Sequence, residues 1–247
     1  MGFKDHFSHN SKNYKSFRPT YPSELFEFLS DLCSKHEMAW DAATGNGQAA
    51  IALAKHFNQV LATDGSADQL DHAEEHPRIN YRVEPAEQCS LPDNAVDLIT
   101  VAQAAHWFDF EEFSTQVKRV AKPNALIAIW GYGLIRFDDH KLDGLVRHFY
   151  EHVVHKHWPP ERAHVDAEYR TIPFRFKEPF DLPKFEIKVQ HTRQSLLNYL
   201  DTWSGVKKYR QAEGVDPLVA FNERLSELPE KSYSAVLPII LRVGQVH

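Results

Sequence analysis

At 247 residues, 43% of them hydrophobic and 25% charged, the chain has the length and balance of one large folded domain. Its net charge of −6, from 28 basic and 34 acidic side chains, and the lack of any basic cluster argue against a nucleic-acid partner. Two cysteines, no apolar run near the roughly 18 residues of a membrane span, and an N-terminus without a signal-peptide core point to the cytoplasm, away from membranes.

Residues 1–22 are polar and aromatic and carry Arg18, Pro19 and Pro22. This arm either packs on the domain or forms a lid in which Arg18 meets a carboxylate. From about Ser23, Leu25, Phe26, Phe28, Leu29 and Leu32 supply the apolar stripe of a helix. Met38 to Ala50, MAWDAATGNGQAA, reads as a strand end, an acid, a small-residue turn and a helix start. Ala43, Gly45 and Gly47 suit a backbone that turns tightly close to a ligand, and Gln48 to His56 continues as helix.

Two ligands suit that turn. Gly45-x-Gly47-x-x-Ala50, with Asp64 beyond it, is a variant of a dinucleotide fingerprint. Asp41 at the mouth would repel a pyrophosphate and attract a cation. Gln59 to Asp64 is a second strand whose terminal acid either holds ribose hydroxyls or caps the helix expected over Asp68 to Glu75. A third strand, Asn80 to Val83, precedes Glu84-Pro85-Ala86-Glu87, and a fourth spans Val96 to Val101. It runs into Gln103-Ala-Ala-His106-Trp107, which should face the ligand beyond the strand ends. A helix over Phe110–Ala121 and a buried strand over Ala125–Trp130 follow.

Past Trp130 the expectation is one helix from Asp138 to His157, interrupted by Trp158-Pro-Pro, with its histidines forming a solvated face and no metal site. A strand at Phe185–Gln190, helices at 194–203 and 216–227 and a closing strand at Ala235–Val243 complete the chain.

The segments YKSFRPTYP, DAATGNG, PAEQCSLPDNAVDLIT and AQAAHWFD, with DAEYRTIPF and NYLDTWSGVKKY, resemble class I S-adenosylmethionine-dependent methyltransferases of the type-11-like group, and among them the trans-aconitate-methyltransferase-like branch. Ala43 stands where the family's first glycine falls, and Pro85 where an acid is frequent. The resemblance implies an α/β, Rossmann-like fold: a seven-stranded, mostly parallel sheet with an antiparallel last strand, helices on both faces and a helical cap. It implies a single domain, with a lid arm at 1–22, a cofactor-binding core at 36–135 and cap elements at 136–234. The implied cofactor is S-adenosylmethionine, held by Tyr14, Arg18, Asp41, Ala43, Gly45, Gly47, Gln48, Asp64, Gly65, Ala86, Glu87 and Gln103. His106 is the implied catalytic residue, and Trp107, Tyr169, Arg170 and Trp203 the implied substrate contacts.

The expected activity is methyl transfer to a small molecule, at an oxygen of a carboxylate, by a monomer, with a dimer as the alternative. Arg18, Arg170 and Arg175 are the candidate grips for an acidic substrate. A binding protein without catalysis and a nicotinamide-dependent oxidoreductase are the competing functions, the latter disfavoured by Asp41.

Overall fold

The computed structural model describes residues 19–247. The sheet is seeded by short runs of buried aliphatic residues: β1 (Met38–Ala42), β2 (Gln59–Asp64), β3 (Ile79–Val83) and β4 (Val96–Ala102). With both faces of β4 covered, its apolar residues run without alternation. β1 lies at the centre, parallel to β2 on one side and β4 on the other. β5 (Ala121–Tyr132) follows β4 in parallel, and β8 (Tyr233–Gln245) pairs antiparallel with β5. The order is β3-β2-β1-β4-β5-β8, with β7 (Glu186–His191) antiparallel to β8.

The expected seven strands become eight. The extra one, β6 (Arg136–Phe137), pairs with β8 directly beyond the β5 ladder, its register displaced by one residue. It therefore continues β5 past an irregularity. The last ladder strand is antiparallel, as the sequence implied.

Helices cover both faces. α1 (Ser23–Leu32) buries Leu25, Phe26 and Leu29 in the same cluster as α2 (Gln48–Leu53). α4 (Phe110–Val120) packs the other face through Phe110, Phe113, Val117 and Val120, with Phe113 against Trp40 at 5.8 Å. Asp109 caps α4 by accepting from the backbone of Glu111 and Glu112. Between them α3 (Ala67–Leu70) is only four residues long, shorter than expected. The Asp71–Glu75 continuation has little apolar surface to bury.

The cap differs most from expectation. In place of one helix at 138–157 there is α5 (His140–His148), a wider i→i+5 turn at Phe149–Val153 and a tight turn at His155–His157. Pro159 and Pro160 cannot extend a helix, and α6 (Arg162–Asp166) restarts after them. α7 (Arg193–Asp201) and α9 (Pro217–Ser226) match the expected segments. α8 (Ser204–Glu213), whose largely polar KKYRQAE run has little periodicity, was not expected. α5, α7, α8 and α9 share a separate hydrophobic cluster with β6, β7 and the first half of β8, beside the strand ends.

Candidate active site

The sheet order reverses between β2-β1 and β4, the switch point beyond which open α/β sheets bind ligands. There the β1–α2 turn places Ala43, Gly45 and Gly47 at φ of 52°, 59° and 81°. A Cβ on Gly47 would overlap the Tyr81 hydroxyl, so β3 closes one side of the turn. Thr44 N–H donates to the Thr63 carbonyl at 2.9 Å, and Gly47 N–H to Thr44 at 3.1 Å.

Two carboxylates hold this turn. Asp41, 0% exposed, sits in register with Thr100 on β4. Its oxygens accept from the Thr100 hydroxyl at 2.7 Å and the Thr44 hydroxyl at 2.5 Å. Burial pushes its pKa up to about 6, against those two hydrogen bonds, which lower it. The acid that the motif offers to a cationic ligand thus also braces the turn from beneath, through the two threonine hydroxyls. Asp64, at the end of β2, accepts from Gly45 N–H at 2.8 Å and Ser66 N–H at 2.9 Å. Each carboxylate oxygen has a second lone pair, so these bonds leave acceptor capacity for a hydroxyl. Gln48 begins α2 and Gly65 follows Asp64 at the same strand ends. Ala86 is buried below them, and Glu87 accepts from Asp109 N–H at 3.0 Å, tying the β3–β4 loop to α4 rather than standing free.

A cavity of about 100 Å³ opens beyond β4 and β5, between the sheet and the cap. Gln103, His106 and Trp107 come from the β4 end, and Tyr132 and Gly133 from the β5 end. Tyr150, Trp158, Arg162, Tyr199, Trp203 and Lys207 come from the cap. Gln103 has φ +60°, and its Nε2 is buried with no partner among the described residues. The Trp158 indole N–H is likewise buried and unpartnered.

His106 sits on a tight turn at Ala105–Trp107, 3.4 Å from the Tyr169 hydroxyl through Nδ1. Burial first, then the Arg162 and His164 charges, hold its imidazole down at about 3. It is therefore neutral at physiological pH. Tyr169, fully buried, adopts φ +57° next to Glu168 at +54°, an unfavourable backbone held by its surroundings. Its ring reaches under Gly131, where a Cβ would lie 2.7 Å from the hydroxyl. Arg162 lies 5.2 Å over the Trp158 ring and 5.6 Å over Tyr150. Its Nε donates to the Tyr150 hydroxyl at 3.0 Å and to Asp166 at 3.2 Å.

Of the substrate contacts implied by resemblance, Trp107 and Trp203 line the cavity, and Tyr169 supports it from beneath. Arg170 does not reach it: its side chain is 73% exposed and pairs with Glu168 at 3.0 Å. Arg175 is equally exposed and pairs with Glu111 at 3.1 Å. Together they correct the expected grip for an acid. Tyr14 and Arg18 lie outside the described residues. Arg162 was missed, as were Tyr150, Trp158, Tyr199 and Lys207. The available signal was the helix break Trp158-Pro-Pro followed by Arg162, read only as punctuation. A second hollow beside α4, about 240 Å³, contains none of the strand-end residues. His148 and His152 meet ring to ring at 5.0 Å, His157 lies 3.5 Å from Glu213, and no metal-binding group of three stands among the described residues.

Comparison with known proteins agrees with this geometry. A family model described as a methyltransferase domain matches residues 40–129. A Dictyostelium discoideum protein named as a methyltransferase is 36% identical over 90% of this chain and 86% of its own. A solved structure described as a type II methyltransferase from Anaeromyxobacter dehalogenans superposes with a TM-score of 0.86. It is 39% identical and covers 94% of this chain and 99% of its own. The YcgJ protein of Bacillus subtilis, at 17% identity and TM-score 0.52 over 91% and 98%, shares the fold. The chain belongs to the class I S-adenosylmethionine-dependent methyltransferases. Its cofactor is S-adenosylmethionine, and the side-chain-free turn at Gly45 and Gly47 beside Asp64 fits a nucleoside that needs backbone approach and a hydroxyl acceptor.

Proposed function

We propose that the protein methylates an oxygen of a carboxylate on a small-molecule acceptor, the reaction type implied by resemblance to the trans-aconitate-methyltransferase-like branch. The observation that carries this reading is the one-sided chemistry of the cavity. Arg162, Lys207, the Trp158 indole and the Gln103 amide stand in its walls, and no carboxylate among the described residues lines it. A buried site with cations and unpaired donors is completed by an anion. A small molecule is the partner in this reading, and the net charge of −6 disfavours nucleic acid.

Bound S-adenosylmethionine supplies an electrophilic methyl group on a sulfonium. The Gly45–Gly47 turn, Asp64 and Ala86 hold and orient it. Arg162 fixes the acceptor carboxylate, and the aromatic walls exclude water, so that proximity carries most of the rate. A carboxylate is already ionised and needs no base. His106 suits that role, because an imidazole held at about 3 is a poor acceptor of a hydroxyl proton. The Tyr169 hydroxyl lies 3.4 Å from Nδ1; in the tautomer in which Nδ1 accepts from it, the ring proton is on Nε2 and available to the acceptor.

The test is a mass-spectrometric screen of acids and alcohols for gain of one methyl group, followed by the pH dependence of the single-turnover rate. The carboxylate reading expects esters as products and a flat profile over roughly pH 5.5–8. Ethers as products, with a rate climbing through that range and flattening in His106→Ala, would replace it with base-assisted transfer to a hydroxyl.

A further inference from the structure

We propose that Asp166 is a positioning residue for the acceptor: through Arg162 and the Tyr150 hydroxyl it holds the guanidinium with its two-pronged end open to the cavity. This deepens the carboxylate reading above and rests on its assignment of Arg162. The sequence sets Arg162 and Asp166 four residues apart, at the two ends of α6, where they meet on one helix face. Tyr150 enters from the i→i+5 turn, a helix irregularity frequent at functional sites. Its hydroxyl donates to Asp166 Oδ1 at 2.7 Å, and Arg162 Nε donates to both, at 3.0 and 3.2 Å. Burial pushes the Tyr150 phenol up to about 12, so it keeps the proton that it donates. The three groups close a ring of hydrogen bonds on the Nε side of the guanidinium.

An arginine and an acid one helical turn apart can also pair fork to fork, through both Nη atoms. That pairing would occupy the donors an incoming carboxylate needs. Here Asp166 and Tyr150 take Nε alone, and neither Nη atom makes a hydrogen bond among the described residues. The guanidinium also lies over the Trp158 and Tyr150 rings, at 5.2 and 5.6 Å. Trp158 cannot retreat from it, since a Cβ on Gly205 of α8 would already be 3.0 Å from the indole. The charge so held is felt at the strand ends, where, after burial, it helps to keep His106 down at about 3. Ordering a long, free side chain at the moment of binding weakens affinity by roughly three- to tenfold, and the Nε clamp removes that loss in advance. The charge of Asp166 itself disfavours an anion, but the carboxylate is half-exposed and screened. Geometry and charge therefore make opposite forecasts for its removal.

The test follows the Arg162 Nε–H signal by heteronuclear NMR on the full chain saturated with S-adenosylhomocysteine, the signal being identified by its loss in Arg162→Gln. Sodium acetate is the probe carboxylate, and sodium chloride at equal ionic strength is the control. In the wild type Nε–H should exchange slowly with water, and acetate should shift its signal saturably. Asp166→Asn keeps an acceptor oxygen without the charge, so it should retain slow exchange and bind acetate at least as tightly as the wild type. Asp166→Ala, with folding verified by circular dichroism, should speed Nε–H exchange about tenfold or more. It should bind acetate roughly three- to tenfold more weakly than Asp166→Asn. Tyr150→Phe, which removes only the bridging hydroxyl, should lie between the two. Equal acetate affinity in the alanine and asparagine variants, or unchanged Nε–H exchange in Asp166→Ala, overturns the inference and leaves carboxylate methylation standing. Should Asp166→Ala unfold, Tyr150→Phe decides alone, and wild-type acetate affinity in it overturns the inference. If acetate shifts the wild-type signal no more than chloride does, Arg162 holds no carboxylate, and the carboxylate reading falls together with the inference.

Discussion

The cofactor turn and the acceptor cavity sit side by side at the same strand ends, yet they are built in opposite ways. The turn is local: Asp41, Thr44, Gly45 and Asp64 bond to one another across adjacent parallel strands, with Thr100 completing the brace. Its two carboxylates are engaged within the turn before any ligand arrives. The cavity is assembled from segments far apart in the chain, and it keeps unpaired donors at Gln103 and Trp158. A pre-satisfied cradle can be shared by a family that uses one cofactor. An unsatisfied cavity on a separately packed cap is where acceptor chemistry can vary with little effect on the cofactor.

The largest effect that separates the two regions should come from Gly47→Val. A β-branched side chain at φ +81° is strained, and its Cβ meets the Tyr81 hydroxyl. Displacing the turn removes backbone contacts worth about 1.5 kcal/mol each, so cofactor affinity should fall about 100-fold or more by calorimetry. Gly144→Ala is the matched control, since Gly144 lies on the exposed side of α5 and no atom stands within 4 Å of an added Cβ. It should leave affinity alone and stabilise the fold by roughly 0.5–1 kcal/mol. If Gly47→Val binds like the wild type, the ligand does not use the turn.

Arg162→Gln should separate the regions in the other direction. Loss of a charged hydrogen-bond donor to the acceptor costs about 1.5–3 kcal/mol, or roughly a 10- to 150-fold fall in kcat/KM on acids. S-adenosylmethionine affinity should stay within about twofold, because Arg162 belongs to the cap. An equal loss in both measurements would mean that cap and cradle are one coupled unit.

The same contrast explains what could be read from the sequence. Gly45, Gly47 and Asp64 were readable because a tight turn and a strand-end acid leave a short-range signature. The first strands and helices were readable from their patterning, and the mostly parallel sheet was implied by the family resemblance. Arg162 and Tyr150 carry no such signature: their role exists only because an i→i+5 turn and Pro159-Pro160 fold α6 back over the strand ends. Asp41 was identified by its place in the motif, but its burial depends on Thr100, which enters from β4 and is set by strand register.

Asp41→Asn tests that brace. In the folded protein Asp41 titrates at about 6, against 3.8 for an ordinary aspartate. The folded state therefore binds the extra proton between those values. The group's contribution to stability is full below about pH 4 and is lost as pH rises through 6. His106, depressed to about 3, works in the opposite sense, its stability contribution being lost as pH falls below its unfolded value of 6.5. The mutant-minus-wild-type difference cancels that term. Without cofactor, urea unfolding should show this difference shifting in favour of Asp41→Asn by about 2–3 kcal/mol between pH 4 and 8. A difference independent of pH would show that Asp41 is not buried as a titrating brace.

The smallest effect should come from Arg170→Ala, and it sharpens the boundary of the cavity to a single peptide bond. Tyr169 and Arg170 are neighbours, but the positive φ at Glu168 and Tyr169 drives the phenol inward to His106. The next side chain is left in solvent, paired with Glu168, which is itself exposed. An exposed pair of this kind contributes about 0–1 kcal/mol and is screened by salt. Turnover on an acid substrate should therefore stay within about twofold of wild type in Arg170→Ala, with stability within roughly 0.5 kcal/mol. Tyr169→Phe, measured alongside, should raise KM for the acid by removing the hydroxyl that stands 3.4 Å from His106 Nδ1. If Arg170→Ala instead reproduces the KM rise, the segment after Tyr169 must turn inward when the acceptor binds. The anion would then be shared between Arg162 and Arg170.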